Sequence, residues 1–428
     1  MPSLLHARVH GAGPTGALAA LALAAAGWEV SVHDPSPRDA LPRRSRAYAF
    51  THSSRALLER LDLWSALLPS LNPFHRLRLI DAGCDRSVPF STGDLGRRSS
   101  AKAGAAVGWI GLHRPLMTLL LERLEHHPRV RLHLGPSPAP GSAPNQLPPV
   151  EREPDLVLAA DGVDSPTRRG AGIGLWRLAY RQACLAAQVE LRGLDEDEAW
   201  ELLRPEGPFG VLPLGGRHFQ LVWSAPTPRC RRREDLSDVA FLDTLAGALP
   251  DQLQPDALLD QPRTFPVALH LARRLHRGNT VLIGESAHRC HPVGGQGLNL
   301  CWRDVAVLHR LAERAAAGRL RPARIGGAYA RRRWGDVILT LLTTDLLVRL
   351  FSNRHPLLLP LRRLAMDLLG RFGWLRREAL GVMTHGPSRR LSLPTPRTTA
   401  GAVPGIIPEG KVSAGQRGVV DAVKMEPW

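Results

Sequence analysis

The chain has 428 residues, of which 44% are hydrophobic, and it carries a formal net charge of +17. This length indicates a large core and two domains or subdomains, and the charge does not point to nucleic-acid binding because the arginines are spread out without interleaved aromatic residues. The chain has five cysteines without C-x-x-C spacing, so we expect neither disulfides nor a zinc site, as is usual in a reducing cytosol. We also expect no secretory leader and no transmembrane helix, which would need roughly 18 uncharged apolar residues in a row.

A strand, a glycine-rich loop, a helix and a second strand are predicted at the start of the chain. The strands are His6–His10 and Glu29–Val32, and the alanine-rich segment Ala17–Ala26 favours a helix between them. The second strand leads directly to Asp34 at its carboxyl end. This order is typical of a dinucleotide-binding βαβ unit, in which a carboxylate placed like that of Asp34 accepts hydrogen bonds from a ribose.

The loop of this unit is Gly11-Ala12-Gly13-Pro14-Thr15-Gly16. Gly11 would allow a tight turn, Gly13 would let the backbone approach a pyrophosphate, and Gly16 would allow close packing of helix on strand. The motif by itself does not distinguish FAD from NAD(P).

Helices are predicted over residues 53–68 and 110–125, and the Pro-, Gly- and Ser-rich segment 135–154 is predicted to be irregular. The apolar strand Asp155–Ala160 then leads into Asp161-Gly162. Over 178–270, strands at Leu185–Leu191 and Phe219–Trp223 and a helix at Asp238–Leu249 indicate an antiparallel sheet with helices that covers a substrate.

A second strand–loop–helix segment follows near residue 280. The strand Thr280–Ile283 precedes a glycine-rich loop, and a helix is predicted over Leu300–Leu311. Such a loop presents unpaired N–H groups and the positive end of a helix dipole to a polar or anionic ligand. Two such loops far apart in sequence predict one extended cofactor held at both ends.

His288 and His291 lie in this second loop, but two histidines without a third ligand do not make a metal site, and we expect structural roles. Cys290 and Cys301 are expected to be packing residues rather than nucleophiles.

Residues 326–380 are predicted to be helical and rich in leucine and arginine, and from about Pro387 the chain loses periodicity, which predicts a disordered tail. Two interpretations of the helical region stay open: a basic face that binds anionic lipid headgroups, or a solvated face of a helix packed on the protein. The arginines concerned are Arg349, Arg354, Arg362, Arg363 and Arg371.

Three blocks of the chain, in this order, resemble the FAD-dependent aromatic hydroxylases, which are single-component flavoprotein monooxygenases: Gly11–Gly16, Asp161–Arg168 and Gly284–Asn299. The hydroxylases of ubiquinone biosynthesis are the most similar members of this family, and the resemblance spans roughly residues 5–385. It departs from the family at Glu285, where relatives carry an Asp that bonds the ribityl chain of FAD. It departs also between Val130 and Asp155, where the β-meander of the relatives has no clear counterpart. The further similar segments are Leu212–Leu214, Phe219–Trp223, Tyr329–Arg333 and Thr344–Phe351.

The resemblance implies an α/β fold: a Rossmann-like FAD-binding domain of the glutathione-reductase type, an antiparallel β-sheet substrate domain and a C-terminal helical region. The implied boundaries are 1–177 for the first part of the FAD domain, with substrate-domain segments near 75–110, then 178–270 for the substrate domain, 271–325 for the second part of the FAD domain, 326–386 for the helical region and 387–428 for the tail.

The resemblance also implies FAD as cofactor and NAD(P)H as reductant, with a redox protein as the alternative donor. The implied reaction uses O₂ to hydroxylate a prenylated phenolic or quinone precursor of the ubiquinone or plastoquinone pathway; a reductase, a soluble aromatic hydroxylase and a non-catalytic assembly subunit are the alternatives. We expect a cytoplasmic location, with peripheral contact to the inner face of a membrane or membership of a quinone-biosynthesis complex left open.

No catalytic side chain and no metal ligand can be named from the sequence. The glycine-rich loops and the family resemblance together imply these cofactor-binding residues, of which Arg46, Arg114, Asp161, Gly162 and Arg168 rest on the resemblance: Gly11, Gly13, Pro14, Thr15, Gly16, Asp34, Arg46, Arg114, Asp161, Gly162, Arg168, Gly284, Glu285, Pro292, Gly295, Gln296, Gly297, Leu298 and Asn299.

Overall fold

The computed structural model describes residues 4–95, 105–136 and 153–387. The strands are β1 (His6–His10), β2 (Glu29–Asp34), β3 (Ala47–Phe50), β4 (Leu71–Phe74), β5 (Arg76–Asp81), β6 (Arg86–Ser91), β7 (Gly108–Leu112), β8 (Val130–Leu134), β9 (Leu156–Ala159), β10 (Leu175–Arg192), β11 (Glu198–Arg204), β12 (Gly207–Gly215), β13 (His218–Pro226), β14 (Gln254–Leu258), β15 (Arg263–Ala272), β16 (His276–Arg277), β17 (Thr280–Leu282) and β18 (His288–Arg289). The α-helices are α1 (Pro14–Ala25), α2 (His52–Arg60), α3 (Trp64–Leu67), α4 (His113–Glu125), α5 (Pro166–Gly170), α6 (Thr227–Glu234), α7 (Asp238–Ala246), α8 (Gln296–Ala316), α9 (Ile325–Phe351), α10 (Leu359–Arg371) and α11 (Gly373–His385).

The predicted βαβ unit forms the middle of a six-stranded sheet with the order β16-β17-β9-β1-β2-β8. Every neighbouring pair is parallel except β16 with β17. Helix α1 begins at Pro14, where the missing N–H of proline costs no helical hydrogen bond. It is apolar all round because it is buried in the same core cluster as strands β1 and β2 and helix α8. The carboxyl ends of β1, β9 and β17 thereby bring both glycine-rich loops to one edge of the sheet.

The edge strand β8 corrects one expectation, since no clear strand pattern was evident after Val130. It pairs in parallel with β2 from Val130, opposite Val30, to Leu134, opposite Asp34. Five residues of alternating polarity are a weak signal alone, but a neighbouring strand already in place supplies the backbone partners. Part of the segment predicted to be irregular, residues 137–152, lies outside the described residues, as does the predicted tail from residue 388.

A second sheet has nine strands among the described residues, in the order β18-β15-β10-β13-β12-β11-β5-β6 with β14 also paired to β10. Its pairs are antiparallel apart from β5 with β11. The two predicted strands lie within β10, in its C-terminal half, and within β13, in its N-terminal half. One face of this sheet packs against α6 and α7 through the buried rings of Phe209, Trp223 and Phe241. Its other face packs in part against helices α9 to α11 and borders a cavity.

Several predicted helices are divided in the structure. The segment 53–68 breaks between α2 and α3, where Asp62 has a φ of 53°. The segment 110–125 is helical only from His113, because Gly108–Leu112 pairs with β3 and β4 in a small antiparallel sheet. The segment 326–380 is three helices, α9 to α11. The α/β fold class is confirmed, whereas the domain boundaries stay a prediction.

None of the described helices is both long enough and apolar enough to cross a bilayer.

Candidate functional site

The first glycine-rich loop turns tightly between β1 and α1. Gly11 has a φ of 101°, and a Cβ there would lie 2.4 Å from the carbonyl oxygen of Ala160. A Cβ at Gly16 would lie 1.8 Å from the carbonyl oxygen of Gly11, so only glycine allows the helix to approach this closely. A Cβ at Gly13 would meet nothing within 4 Å, because this side of the loop faces an open cleft.

The Asp34 carboxylate stands at the end of β2, on the wall of the same cleft. It accepts hydrogen bonds from the backbone N–H groups of Ala12, at 2.7 Å, and Ser36, at 2.8 Å. These bonds fix its orientation, and each oxygen keeps a lone pair that can accept from a ligand hydroxyl. The imidazole of His33, next to Asp34, stacks on that of His133 with 4.5 Å between ring centroids.

Asp161 and Gly162 follow β9 and face the cleft between the two glycine-rich loops. One oxygen of Asp161 accepts the N–H of Thr167 at 3.0 Å. Its other oxygen, Oδ1, is buried and has no partner among the described residues. Gly162 has a φ of 84°, and a Cβ there would meet nothing within 4 Å. The turn therefore presents a buried acceptor and open space to a ligand.

Two of the three predicted arginines do not line the cleft. Arg168 is buried and donates to the carbonyl oxygen of Ser286 at 3.2 Å, so it ties two loops together from behind, and burial lowers the pKa of its guanidinium. Arg114 is exposed, because the apolar face of α4 turns into the core and carries this residue outward. Arg46 does line the cleft, and Arg44, which was not predicted, lies beside it.

The second glycine-rich loop is held by a buried carboxylate, Asp304 on α8. Its Oδ2 accepts the N–H of Gly284 at 2.9 Å and Nε2 of His288 at 2.8 Å, and its Oδ1 accepts Nε of Arg333 at 2.6 Å. Burial alone would raise the pKa of Asp304, but the charges of His288 and Arg333 outweigh it and lower the pKa to about 2. Arg333 also pairs with Asp336. The anionic form of Asp304 is thus the one that shapes the loop.

This ionic cluster was not predicted. The available signal was the presence of charged residues, Asp304 and Arg333, at positions where the helical pattern calls for buried side chains. His288 is structural, as expected.

The loop between β18 and α8 brings backbone rather than side chains to the cleft. Gly294 and Gly295 have φ values of 66° and 63°, and a Cβ at Gly295 would lie 2.9 Å from Cβ of Ala49. Glu285 reaches the same wall, with 45% of its side chain exposed and an oxygen 3.7 Å from Nε of Arg289. The N-terminal end of α8 faces the cleft with the residues Pro292, Gln296, Gly297 and Leu298.

Asn299 does not line the cleft. Its Oδ1 accepts hydrogen bonds from Thr51, through both N–H and hydroxyl, and from the Ser54 hydroxyl at 2.6 Å. Its Nδ2 donates to the carbonyl oxygens of Ala49, at 2.7 Å, and Gly295, at 2.8 Å. The side chain is saturated by protein groups and therefore positions the loop, which corrects the expectation that it contacts a cofactor.

These loops border one continuous cavity of about 1610 Å³. A pocket for a single drug-sized ligand occupies roughly 300–1,000 Å³. The cavity therefore has room for an extended cofactor and a second molecule. Fourteen of the nineteen predicted residues line it, and Gly16, Arg114, Arg168, Gly284 and Asn299 do not.

The part of the cavity beyond the second loop is a chamber between the nine-stranded sheet and helices α9 to α11. Its walls are largely apolar, and Glu201 on β11 is the one carboxylate that the sheet brings to it among the described residues. Burial raises the pKa of Glu201 to about 7, although the nearby N–H of Gly294 acts in the opposite direction. The sequence analysis missed this residue; a lone acid on the inward side of an alternating strand was the available signal. The other chamber residues include Leu79, Phe90, Val222, Thr344, Leu347, Leu369 and Met383.

Other reactive groups near the cavity are held neutral. Cys290 and Cys301 are buried, and burial raises the pKa of both thiols, that of Cys290 to about 11, so they are packing residues as expected. Burial lowers the pKa of His291 to about 4, which leaves an uncharged imidazole in edge-to-face contact with the ring of Tyr180.

Comparison with known proteins agrees with this geometry. A family model described as an FAD binding domain matches residues 151–333. The chain is 31% identical over 405 residues to the ubiquinone hydroxylase UbiL of Rhodospirillum rubrum, covering 88% of this chain and 90% of that protein. The chain belongs to the FAD-dependent aromatic hydroxylases. It is an FAD-dependent monooxygenase of the flavoprotein family.

Further relatives extend the comparison to other sequences and to the fold. The chain is 29% identical to the 3-demethoxyubiquinol 3-hydroxylase of Escherichia coli, covering 86% of this chain and 96% of that protein. The crystal structure of PqsL, a probable FAD-dependent monooxygenase from Pseudomonas aeruginosa, superposes with a TM-score of 0.67 at 18% identity, covering 84% of this chain and 99% of PqsL. This last similarity establishes the shared fold.

The residues of the cleft fit FAD, the cofactor of the family. The Cβ directions at Gly13, Gly162 and Gly297 are open, so backbone at three separate loops can approach a ligand closely. The buried Oδ1 of Asp161 needs a hydrogen-bond donor that the described residues do not supply.

Proposed function

We propose that this monooxygenase hydroxylates a prenylated phenolic precursor of a quinone, of the ubiquinone or plastoquinone pathway, with O₂ and NAD(P)H as co-substrates. The observation that carries the proposal is the single cavity in which dinucleotide-type loops open into an apolar chamber walled by leucine-rich helices. The names of the relatives, a ubiquinone hydroxylase and a demethoxyubiquinol hydroxylase, support the same substrate class.

In this proposal the residues along the edge of the six-stranded sheet would hold an extended FAD. Asp34 and the loop at Gly11 and Gly13 would hold its adenosine end, Asp161 and Gly162 its pyrophosphate region, and the backbone before α8 its ring. Gly16, Gly284, Arg168 and Asn299 act on the cofactor through the loops they shape. The direct contacts fall to the remaining cleft residues, namely Pro14, Thr15, Arg46, Glu285, Pro292, Gly295, Gln296, Gly297 and Leu298.

FAD, once reduced, supplies the activation of O₂, and one oxygen atom passes to the aromatic ring while the other leaves as water. The protein's part is to orient the ring and to keep water away. The N-terminal end of α8, a helix of 21 residues, points its positive dipole at the cleft. A negative charge developing there is stabilised by about 1–2 kcal/mol in a partly buried site.

The chamber suits a substrate with an aromatic head and an apolar tail. Leu79, Phe90 and Val222 from the sheet and Leu347 from α9 give it apolar walls, while Thr344 and Glu201 are among its few polar groups. A few polar groups in an apolar pocket fix the orientation of a ligand. A phenolic head near Glu201 and a prenyl tail toward α9 and α10 would satisfy both kinds of surface.

We further propose that helices α9 and α10 rest on the inner face of a membrane. Each exposes leucines at helical spacing: Leu339, Leu342 and Leu346 on α9, and Leu361, Leu364 and Leu368 on α10. Exposed apolar stripes of this kind mark interaction surfaces. The same helices wall the chamber, so a polyprenyl tail would have a short route from bilayer to active site.

The charges on these helices modify the original interpretation of the basic face. Arg354, Arg363 and Arg371 are exposed and can face anionic headgroups. Arg362 cannot, because it is fully buried and ion-paired with Asp81. Arg349 is exposed but pairs with Asp345 on its own helix, with 2.7 Å between Nε and Oδ2.

The catalytic part is tested with the purified flavoprotein, NAD(P)H, ¹⁸O₂ and 2-prenylphenol. One labelled oxygen atom in the product, with reductant consumed only in proportion to product, is expected. A product without label would indicate the reductase alternative, and a protein that binds no flavin would indicate a non-catalytic assembly subunit.

The membrane part is tested by flotation with vesicles of neutral phosphatidylcholine, with and without anionic phosphatidylglycerol. Binding is expected to the anionic vesicles, to weaken with salt and to fall in a Leu342→Ser/Leu346→Ser double variant. Val239→Ser is the matched control, since Val239 is 71% exposed but lies on α7. Equal recovery of all variants would refute the docking surface.

A further inference from the structure

We propose that Glu201 receives the hydroxyl group of the aromatic substrate and takes up its proton, an inference that rests on the hydroxylase function proposed above. No other described residue places a carboxylate on the sheet wall of the chamber.

The position of Glu201 follows from strand geometry. Side chains alternate along β11, so Ala199, Glu201 and Leu203 face the chamber. The register places Gly210 of β12 on one side of Glu201 and Leu79 of β5 on the other. Gly210 has no side chain to cover the carboxylate, and a Cβ there would lie 3.6 Å from Oε2 of Glu201. The carboxylate is therefore left open to a ligand.

The surroundings of Glu201 leave it without a charge partner. It forms no ion pair with any residue in the described ranges, and the backbone N–H of Gly294 is the one group that favours its charged form. Cys184 of β10 is a titratable residue on the same wall that interacts electrostatically with Glu201, and burial raises the pKa of its thiol to about 12. Across the chamber, α9 contributes the uncharged Thr340, Thr343 and Thr344. The other charged residues on the cavity wall are Asp34, Arg44, Arg46, Asp161, Asp164, Glu285, Arg289 and Glu378.

Gly294 belongs to the loop against which the flavin ring is proposed to lie. A phenol that donates to Glu201 would thus have its ring beside the site of oxygen delivery. This juxtaposition of a lone carboxylate with the flavin loop is what distinguishes Glu201 from a merely buried acid.

The proton balance is simple. The phenolic O–H bond breaks, the proton forms an O–H bond on the Glu201 carboxylate, and the electron pair left on the phenolic oxygen enriches the ring carbons ortho and para to it. One of these carbons takes one oxygen atom of O₂ and the other atom leaves as water, for which NAD(P)H supplies two electrons as a hydride, with a net uptake of one proton from solvent. The hydrogen lost from that carbon leaves as a proton when the ring regains aromaticity, and Glu201 returns its proton to the product oxygen.

The pKa of Glu201, raised by burial to about 7, suits this exchange near neutral pH. An ordinary phenol has a pKa of about 10. Proton transfer is therefore completed only as oxygen is delivered, and before that step the carboxylate holds the hydroxyl by a charge-assisted hydrogen bond.

A binding experiment tests the contact without turnover. The holoenzyme is titrated with 2-prenylphenol and with its methyl ether, and binding is followed by the flavin absorbance. A hydrogen bond to a charged group implies a roughly 10- to 100-fold preference for the phenol. Glu201→Leu should reduce the preference for the phenol to less than about threefold, because the hydrogen bond is lost. Glu190→Gln is the control and should keep the preference, since Glu190 lies on the same sheet but pairs with Arg217 away from the cavity.

A kinetic experiment tests the proton transfer. The rate of labelled product formation is expected to rise with pH through about 7 in the unaltered enzyme. Glu201→Gln should lose this rise and form product at least about tenfold more slowly, in line with the usual contribution of acid–base catalysis. Glu190→Gln, outside the cavity, should keep the rate, the pH dependence and the flavin content of the unaltered enzyme. Glu201→Asp should recover part of the rate and of the pH dependence.

The outcomes separate the two proposals. Equal affinity of the unaltered enzyme for phenol and ether, absence of binding of both, or an unchanged pH profile in Glu201→Gln would overturn the role of Glu201. A retained preference for the phenol without any labelled product would overturn the hydroxylase function and leave Glu201 as the binding residue.

Discussion

Replacing Asp304 by Asn would show how strongly the buried ionic cluster holds the second glycine-rich loop. The carboxylate accepts three hydrogen bonds within 3.0 Å, from Gly284, His288 and Arg333, and is fully buried. Asn has nearly the same shape, but its amide group presents N–H donors where two of these donors point. The substitution therefore removes a charge and sets donor against donor.

The expected loss in the free energy of unfolding follows from Arg333, the charged partner that Asp304→Asn leaves buried. Arg333 is 3% exposed in its side chain and would keep only Asp336 as a counter-charge. Breaking a buried ion pair by removing one partner costs about 3–5 kcal/mol. Because Asp304 binds the N–H of Gly284, the same change should loosen the loop and weaken FAD binding. Asp39→Asn is the control: it removes an exposed i,i+4 pair with Arg43, for which the expected cost is about 0–1 kcal/mol.

Urea unfolding of the flavin-free protein, followed by tryptophan fluorescence, measures the cost, and flavin fluorescence titration measures the affinity. Because Asp304 has a pKa of about 2, its contribution is present above the ordinary Asp pKa near 4 and is lost as the pH falls from about 4 to 2. The difference between the two proteins should shrink over that range. A free energy of unfolding for Asp304→Asn within about 1 kcal/mol of the unaltered protein at pH 7 would refute the reasoning.

Three further predictions concern the cleft and its surroundings. Gly16→Ala should destabilise the fold by about 1–3 kcal/mol or more, because its Cβ would lie 1.8 Å from the carbonyl oxygen of Gly11. Gly13→Val, whose Cβ points into open space, should leave thermal stability nearly unchanged and abolish FAD retention. An equal loss of stability in both variants would contradict the assignment of Gly16 to packing and of Gly13 to the cofactor site. Arg46→Ala should weaken FAD binding in a fluorescence titration, because Arg46 lines the cleft, whereas Arg114→Ala should not. The reverse order of the two effects would contradict the assignment of Arg46 to the cofactor site. His270 is buried, and its pKa is about 4 in the folded protein against about 6.5 in the unfolded chain. The unfolded chain therefore takes up the proton first, and the free energy of unfolding should fall as the pH drops from about 6.5 to 4. His270→Gln should reduce this pH dependence, and an unchanged pH dependence would exclude His270 as its source.

Local patterns were sufficient wherever one element carried its own signal. The first βαβ unit was predicted with its strand bounds because alternating burial, a helix-favouring alanine run and a glycine loop all agree there. The second glycine-rich loop could be predicted equally well, since glycines with positive φ occur where the backbone must bend sharply. The family follows from these blocks.

Elements that depend on a neighbour were misjudged. Strand β8 is five residues long and exists because β2 offers it a hydrogen-bonding edge. The boundary at His113 depends on β7 pairing with two other strands, which no local pattern reveals.

The sequence by itself determined the fold class, the family and the glycine-rich loops that line the cleft, because glycine spacing and apolar periodicity act within a few residues of one another. The tertiary structure alone decided which polar side chains reach the cleft. Arg114 and Asn299 turn away from it, while Glu201 turns into it, since the direction of a side chain depends on the packing of its whole element. It also paired Asp304 with Arg333, residues 29 positions apart, whose charges are stable inside the protein only because the fold brings them together.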